Sequence, residues 1–452
     1  MCTEGRHSLI VSLLCRPVFA VIFAMIALNS AAAGGLAANN AKSSEAPELG
    51  VSGDYAVGTR SREVKLPARA VLTPAGATES ERSIGLRIWY PAASTGSSAP
   101  AVYRHNLKTP SGPASEIVER GAAFENAIPA VGKFPLVIIS HGFMGWSEHL
   151  SRLGEHLASR GYVVASIDHK DMSFDSLSGF MLSFGNVLSS RSLDQRQMIQ
   201  RLVSPGFVKD EPVLASVDKS RIGLIGYSMG GFGALATAGG AYDAEAKPFA
   251  ALPPLAKTQA IADDPILKVQ SLVLIAPWGG QPDNRAWKDG SLATVTTPTL
   301  LISGNQDDIV NYRDGVRWLF DRLTNADRYL LIYRDARHNI AGNPVDLGDH
   351  PAFDAIGYSK EPVWRQERLN QINQHFVTAF LDSNLKKDDS RRRYLDVPTA
   401  IASDGKWPAT FGQTDDGAYA GDAQPEYWRG FQRRWATGLE LHRQSANKLG
   451  KH

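Results

Sequence analysis

Residues 222–231 read Ile-Gly-Leu-Ile-Gly-Tyr-Ser-Met-Gly-Gly, and this stretch decides the fold. Its apolar first half is typical of a buried strand, and the small residues that follow, up to residue 239, are typical of a helix. Residues 226–230 match the pattern G-x-S-x-G, in which the chain turns sharply from strand to helix and exposes the serine hydroxyl at the carboxyl edge of a sheet. Glycines on both sides leave room for that turn. The pattern predicts a nucleophilic Ser228; the alternative is an ordinary glycine-rich turn.

On both sides of this stretch, short apolar β-rich runs alternate with segments of helical period. Such alternation predicts an α/β fold, with a mostly parallel central sheet and helices on both faces. Continuous apolar runs are expected of strands that are buried on both faces. The predicted strands cover residues 85–90, 135–140, 162–167, 222–226, 271–275, 299–303 and 329–333.

A serine hydroxyl becomes a good nucleophile only when a positioned base takes its proton, so a histidine and a carboxylate are needed later in the chain. The strand at 299–303 runs into Gly304-Asn305-Gln306-Asp307-Asp308. The acid of such a triad usually falls three residues after the glycine, which selects Asp307 and keeps Asp308 in reserve. The next strand leads into a loop that carries His338, and the order Ser, Asp, His favours this residue as the base.

The negative oxygen of a tetrahedral intermediate needs preorganised backbone N–H donors. The strand at 135–140 leads into His141-Gly142-Phe143, a turn suited to the first donor, and the residue after the nucleophile supplies the second. We therefore predict an oxyanion hole made of the main-chain N–H groups of Phe143 and Met229. His141 is expected to brace this turn rather than to act as a second base.

These motifs together resemble a known superfamily. The run FPLVIISHGFMGWSEHLSRLGEHLASRGYVVASIDHKD at 134–171, GYSMGG and the early LRIWYPA are similar to α/β-hydrolases. They most resemble dienelactone-hydrolase-like and platelet-activating-factor-acetylhydrolase-like serine esterases, and ASRGYVV, GYSMGG and APW are also similar to cutinase-like polyester hydrolases. The resemblance covers residues 63–381 apart from the segment at 171–219, and it does not extend to the C-terminal extension. Because true dienelactone hydrolases use cysteine where this chain has Ser228, their substrate does not carry over.

The resemblance implies a carboxylic-ester hydrolase that acts on a small-molecule or polymeric ester through an acyl-enzyme. Lactone, polyester, thioester or amide cleavage on the same triad remains open, as does a non-catalytic binding module of the same fold. It further implies an acyl pocket with Phe143 and Trp278 as walls, and residues 178–185 lining the same cleft. For Trp278, simple packing at a strand end is the alternative.

Composition and charge exclude several classes of protein. The chain has 452 residues, of which 43% are hydrophobic, and its 48 Lys plus Arg against 46 Asp plus Glu leave a formal charge of +2. This balance argues against disorder and against a nucleic-acid partner. No phosphate-binding loop or dinucleotide fingerprint is present, and the acidic loop at 346–354 lacks the ligand spacing of a metal site, so we expect neither cofactor nor metal.

The first 33 residues have the layout of a secretory leader: basic residues, an apolar run at 18–28 and three alanines that end at residue 33. This predicts a cleaved signal peptide and a secreted or periplasmic protein; an uncleaved anchor or a misassigned start codon are the alternatives. The apolar run is shorter than the roughly 20 residues that span a bilayer, so we expect no stable membrane insertion after cleavage. Cleavage would also remove both cysteines, Cys2 and Cys15.

Composition divides the rest of the chain into a linker at 34–53, a catalytic domain at 54–383 and a C-terminal extension at 384–452. Within the catalytic domain, residues 171–219 exceed a simple crossover and are predicted as either a lid or a long surface excursion. The extension is rich in aromatic residues, which we expect to pack it onto the catalytic domain. The sequence does not indicate an oligomeric state.

Overall fold

A single sheet organises the molecule. The computed structural model describes residues 45–107, 115–172, 174, 176–262, 268–349, 351, 353–407 and 426–447. Within them, twelve strands form a sheet in the order β12-β11-β10-β9-β8-β6-β7-β2-β1-β4-β3, with β5 paired to β2. The strands are β1 Ala56–Thr73, β2 Gly76–Ser94, β3 Pro100–Leu107, β4 Ser115–Glu125, β5 Ile128–Pro129, β6 Phe134–Ser140, β7 Val163–Asp168, β8 Val217–Tyr227, β9 Ser271–Ile275, β10 Thr299–Gly304, β11 Arg328–Tyr333 and β12 Leu439–Gln444.

The centre of the sheet, from β6 to β11, is parallel throughout. These strands are apolar and almost wholly buried, as expected when helices cover both faces. The helices are α1 Ser151–Ser159, α2 Leu177–Val203, α3 Pro205–Asp210, α4 Met229–Thr237, α5 Lys247–Ala250, α6 Pro254–Ala260, α7 Arg317–Arg322, α8 Phe353–Ser359 and α9 Gln366–Leu385. The α/β prediction is confirmed, and each of the seven predicted strands lies within the sheet.

Two layers of helices sandwich the sheet. On β8, Gly223 faces Leu385 of α9, whereas Gly226 faces the first turn of α4. Residues three apart on a strand point to opposite faces, so α9 and α4 cover opposite sides. The helix α1 packs with α9, and α2 and α6 lie together on the α4 side.

The structure differs from the prediction of a lid or a long surface excursion over residues 171–219. Most of this segment is α2, the crossover helix between the parallel strands β7 and β8, followed by α3. From Val187 to Leu202 its residues are largely buried against α4 and α6, because the helix covers one face of the sheet. A surface excursion is therefore wrong for this part of the segment. The first turns of α2, with the exposed Leu177 and Met181, stand outside the core.

Of the described strands outside the parallel core, only β2 is among the predicted strands, and only through its residues 85–90. On one side of the parallel core, β1 and β2 pair along nearly their whole length, and β3 pairs with β4. On the other side, β12 from the C-terminal extension pairs antiparallel with β11. Exposed polar residues interrupt β1 and β2, so that pairing rather than a continuous apolar run defines them.

Both flanking segments pack onto α9 where the structure describes them. Residues 45–53 do not form a free linker, since Leu49 is buried and its N–H donates to His375 Nδ1 at 3.1 Å. In the C-terminal extension, Trp428 and Phe431 are buried against Phe376 of α9. The predicted leader at 1–33 and the rest of the linker lie outside the described residues. Among the helices described, none has the length and apolar character required to cross a bilayer.

Candidate active site

Ser228 occupies a strained turn between the end of β8 at Tyr227 and the start of α4 at Met229. Its backbone has φ 52° and ψ −114°, a left-handed conformation that residues with a Cβ rarely adopt. The turn fits because Gly230 brings its backbone against β6, where a Cβ would collide with the carbonyl oxygen of Ser140. The predicted sharp turn is therefore present, and it places Ser228 at the carboxyl edge of the sheet.

The structure brings the three predicted residues Ser228, His338 and Asp307 into one hydrogen-bonded row. His338 Nε2 lies 3.1 Å from Ser228 Oγ, and its Nδ1 lies 2.8 Å from Asp307 Oδ2. An ionised carboxylate only accepts hydrogen bonds, so the proton of a neutral His338 is on Nδ1 and its Nε2 is free to accept from the serine. We call these three residues the open arrangement.

The carboxylate of Asp307 is held on its other side by the backbone. Its Oδ1 accepts hydrogen bonds from Ile309 N at 3.0 Å and from Val310 N at 3.1 Å. The side chain of Asp307 is buried, whereas Asp308 is exposed and forms an ion pair with Arg337 at 3.1 Å. Of the two candidate acids, only Asp307 reaches the imidazole of His338.

A cavity of about 490 Å³ opens onto Ser228. Its wall combines apolar and aromatic side chains with a few charged groups at the rim. Besides Ser228 and His338, it is lined by Gly142, Phe143, His149, Tyr227, Asp308, Ile309, Arg337, Asn339, Ile356, Gly357, Tyr358, Lys360 and Pro362. A mainly apolar pocket with a few convergent polar groups is the usual form of a small-molecule site.

The residues that carry the two predicted oxyanion donors lie in segments that come close to Ser228. Met229 is the first residue of α4, where a backbone N–H has no partner within the helix. Phe143 lies in the turn after β6, and a Cβ built on the preceding Gly142 would stand 3.2 Å from Ser228 Cβ. Both backbone segments that carry the predicted donors therefore approach Ser228, and the oxyanion hole itself stays a prediction.

Of the two predicted pocket walls, only Phe143 lines the cavity. Trp278 is 6% exposed and packs between Phe184 and Phe232, with ring centroids 5.4 and 5.3 Å away. It is absent from the described cavity lining because it lies beneath an aromatic layer, and the packing alternative describes it. Residues 178–185 contact the cavity wall only indirectly: Phe180 and Phe184 pack on the ring of Phe143, and that ring lines the cavity.

A second Ser–His–Asp row, which the sequence analysis missed, lies close by in the core. His169 Nε2 is 2.8 Å from Ser140 Oγ, and its Nδ1 is 2.9 Å from Asp194 Oδ2. All three are fully buried, and Arg69 and Arg82 form ion pairs with Asp194 at 3.2 and 3.4 Å. Burial lowers the pKa of His169 to about 3, so its ring is neutral. We call Ser140, His169 and Asp194 the buried arrangement.

His141 braces the turn, as predicted. Its Nδ1 lies 2.6 Å from Gly142 O, and its Nε2 accepts the backbone N–H of His169 at 3.1 Å. The second bond requires the proton to be on Nδ1, which then donates to the carbonyl. Burial lowers the pKa of His141 to about 3, so the ring stays neutral and keeps both bonds.

Comparisons with known proteins agree on one family group. The family model described as "PETase: PET hydrolase-like" matches residues 121–263. A bis(hydroxyethyl) terephthalate hydrolase of Streptomyces coelicolor is 25% identical over 210 residues, which cover 46% of this chain and 51% of that protein. Cutinase est1 of Thermobifida alba is 25% identical over 220 residues, which cover 47% and 56%. The chain thus spans about half the length of the curated relatives it matches.

Among solved structures, a ferulic acid esterase from Streptomyces cinnamoneus is similar, with a TM-score of 0.49 and 21% identity over 73% of this chain and 90% of that one. The parallel core, the strand-to-helix turn at Ser228 and the matched family model agree with the resemblance found in the sequence. The mostly parallel sheet with flanking helices agrees with an α/β-hydrolase fold, and the similar proteins include ester hydrolases.

Proposed function

We propose that this chain is a serine hydrolase that cleaves carboxylic esters through an acyl-enzyme on Ser228. The observation that carries the proposal is the 3.1 Å contact between His338 Nε2 and Ser228 Oγ at the wall of an open cavity. The names of the relatives support the ester as substrate class, since one is a terephthalate ester hydrolase and another a cutinase.

In the first half of the reaction, the Ser228 oxygen attacks the ester carbonyl carbon while His338 Nε2 takes the hydroxyl proton. The carbonyl oxygen becomes an oxyanion, which accepts hydrogen bonds from the N–H groups of Phe143 and Met229. When the intermediate collapses, the bond to the alkoxy group breaks and His338 returns the proton to the departing alcohol. The acyl group remains bonded to Ser228.

In the second half, water enters and loses a proton to His338 as its oxygen attacks the acyl carbon. Collapse of this second intermediate releases the carboxylic acid and gives the proton back to Ser228. Asp307 contributes by holding the His338 tautomer and by offsetting the positive charge of the ring, and its own two backbone bonds hold its carboxylate in place.

A terephthalate polyester is the second candidate substrate, and the match to a PET hydrolase-like family favours it. The reaction at Ser228 would be the same, because each chain link is itself a carboxylic ester. A panel of soluble p-nitrophenyl esters, lactones, bis(hydroxyethyl) terephthalate and short polyesters would rank these substrates by kcat/KM.

The proposal is tested by turnover of p-nitrophenyl butyrate. We expect Ser228→Ala to lower kcat by at least about a thousandfold, because triad members act as a unit. Ser140→Ala is the matched control, since it removes an equally small hydroxyl from the buried arrangement, and it should keep kcat within about threefold. A wild-type protein that shows no esterase activity, or a Ser228→Ala variant that keeps it, would support the binding-module alternative.

We also propose that the chain is exported after cleavage of residues 1–33. The support is the layout of the leader sequence. N-terminal sequencing of the protein recovered from the periplasm or medium should begin near residue 34, and a mature protein that retains Met1 would contradict the proposal.

A further inference from the structure

The peptide unit between Phe143 and Met144 is held at both ends. Its carbonyl oxygen, Phe143 O, accepts a hydrogen bond from Tyr358 Oη at 3.0 Å. Its N–H, on Met144, donates to Asp171 Oδ2 at 2.9 Å. These two bonds fix the rotation of this peptide plane, which shares the Cα of Phe143 with the peptide that carries the predicted oxyanion donor.

The backbone at this point needs such support. Met144 has φ 59°, in the left-handed region, where a residue with a Cβ is strained by roughly 1–3 kcal/mol. Strained residues persist only when surrounding contacts over-determine them, and here the contacts come from two different elements. Tyr358 belongs to α8, whereas Asp171 follows β7.

Asp171 is itself held rigidly by α2. Arg191 Nη2 lies 2.7 Å from Asp171 Oδ2, and the two side chains are 1% and 4% exposed. Burial alone would raise the pKa of Asp171, but the charge and hydrogen bond of Arg191, together with smaller effects of neighbouring groups, outweigh burial and hold this pKa below its usual value. The carboxylate is therefore charged, and a charged acceptor makes the stronger bond to Met144 N–H.

Tyr358 is tied to the loop that carries His338. Asn339 follows His338 in the chain. Its side-chain Nδ2 donates to Gly357 O at 2.8 Å and to Lys360 O at 3.0 Å. The end of α8 is thereby fixed to the histidine side of the cavity, and the Tyr358 hydroxyl reaches across to the oxyanion turn. This hydroxyl links the two halves of the open cavity.

The ring of Phe143 is restrained as well. Phe174, Phe180 and Phe184 surround it, with ring centroids 6.0, 5.8 and 5.5 Å away. With the ring and the following peptide plane both held, the direction of the Phe143 N–H has little freedom left.

We infer that Asp171 and Tyr358 are positioning residues that aim the Phe143 N–H at the oxygen of the tetrahedral intermediate. The inference rests on the proposed function. Neither side chain exchanges a proton with the substrate; both act through the backbone of the oxyanion turn. Their contribution is therefore made in the transition state and is absent from binding of the ground-state ester.

Steady-state kinetics of Tyr358→Phe and Asp171→Asn test the inference. Loss of a whole oxyanion donor costs about 10²–10³ in kcat, so a loosened donor should cost less. We expect kcat to fall about three- to tenfold in Tyr358→Phe and about ten- to hundredfold in Asp171→Asn, with KM within twofold of wild type. Tyr55→Phe is the matched control, since Tyr55 is 40% exposed against 39% for Tyr358 and packs on Phe134, so it should change neither constant.

A second readout separates positioning from general damage. An alkylboronic acid forms a tetrahedral adduct on Ser228, whereas the matching uncharged amide mimics the ground state. The inhibition constant of the boronic acid should rise by the same factor by which kcat falls, and that of the amide should stay constant. If both inhibitors weaken together, or if Tyr358→Phe keeps wild-type kcat, the inference is overturned.

Two further outcomes are distinguishable. Asp171→Asn leaves the buried Arg191 without its counter-charge and can fail to fold, in which case Tyr358→Phe alone decides. If the wild-type protein neither hydrolyses esters nor binds the boronic acid, the proposed function fails, and the positioning inference falls with it. Wild-type activity combined with unaltered variants overturns only the positioning inference.

Discussion

The molecule holds two Ser–His–Asp rows of nearly equal geometry and very different surroundings. In the open arrangement, His338 lies 3.1 Å from its serine oxygen and 2.8 Å from its carboxylate. In the buried arrangement, the corresponding distances from His169 are 2.8 and 2.9 Å. Hydrogen-bond distances alone therefore do not distinguish a reactive serine from a structural one.

Access and competing partners make the difference. Ser228 lines a cavity of about 490 Å³, whereas Ser140 ends a core strand with no exposed surface, and its oxygen also accepts a bond from Gln195 at 2.8 Å. The carboxylate of Asp194 is shared with two arginines, whereas that of Asp307 serves one histidine and two backbone N–H groups. The same combination of residues is therefore proposed to act in catalysis in the open arrangement and to stabilise the core in the buried arrangement.

Replacing the histidine of each arrangement by glutamine, in separate variants, should give the largest difference in kcat. Without the base, the serine hydroxyl stays protonated, so we expect His338→Gln to lower kcat for p-nitrophenyl butyrate by at least about a thousandfold. His169→Gln should leave kcat per folded molecule within about fivefold. Circular dichroism and the melting temperature give the folded fraction of each variant, by which kcat is corrected. An equal loss of kcat in both variants would refute the assignment of separate roles.

The two neighbouring aspartates sharpen the account of the open arrangement. Asp307→Asn keeps the shape but favours the wrong tautomer of His338, and we expect kcat to fall by about a thousandfold or more. Asp308→Asn removes only an exposed ion pair with Arg337 and should stay within about twofold. If Asp308→Asn lowers kcat more than Asp307→Asn, the acid is assigned to the wrong residue.

The buried arrangement should show its role in stability. Asp194→Asn removes the counter-charge of Arg69, which is itself almost fully buried, and we expect the free energy of unfolding to fall by about 3–5 kcal/mol. The control Asp218→Asn loses a partly exposed pair with Arg221 and should cost at most about 1 kcal/mol. Urea unfolding measures both, and equal midpoints for the two variants would contradict the structural role.

Acid should weaken the fold more gradually, through histidines remote from the open cavity as well as near it. Burial lowers the pKa of six described histidines below the ordinary value of about 6.5: His105, His141, His149, His156, His169 and His375. The unfolded chain therefore binds more protons than the folded one below about pH 6.5, and stability falls as the pH falls.

Each of these histidines lowers the free energy of unfolding by up to about 1.4 kcal/mol for every pH unit below about pH 6.5, until the pH reaches the pKa of the folded state. Three carboxyl groups act in the opposite sense: burial raises the pKa of Glu155 to about 7 and also raises the pKa values of Glu119 and Asp168, so the stability that these groups contribute is lost as the pH rises. Because six histidines oppose three carboxyl groups, we expect the melting temperature to fall as the pH falls from 6.5 to 4.5. A constant or rising melting temperature in that range would show that these histidines are not buried neutral.

Much of the fold and of the open arrangement could be predicted because local rules dictate them. Continuous apolar strands, the G-x-S-x-G turn and the order of Ser228, Asp307 and His338 are all properties of short segments. The antiparallel strands β1 and β12, and the part of β2 outside residues 85–90, depend on pairing across the sheet, which no local run reveals. The crossover α2 was ambiguous for the same reason, since only the tertiary fold decides whether a long segment covers the core.

The contacts that the sequence could not reveal are those between distant, individually ordinary residues. Nothing in the local pattern links His169 to Asp194, or Tyr358 to the turn at Phe143. The prediction that Trp278 lines the cavity failed for a similar reason. Its position after a strand end indicates the correct edge of the sheet, but it does not reveal whether the ring faces the cavity or packs against other aromatic rings.

The most direct measurement of the central claim is the site of modification by a fluorophosphonate, read by peptide mass spectrometry on the native and the heat-denatured protein. The open arrangement predicts one adduct per native chain, on Ser228, and none on Ser140 or on the denatured chain. An unmodified native protein, or an adduct on Ser140, would contradict it.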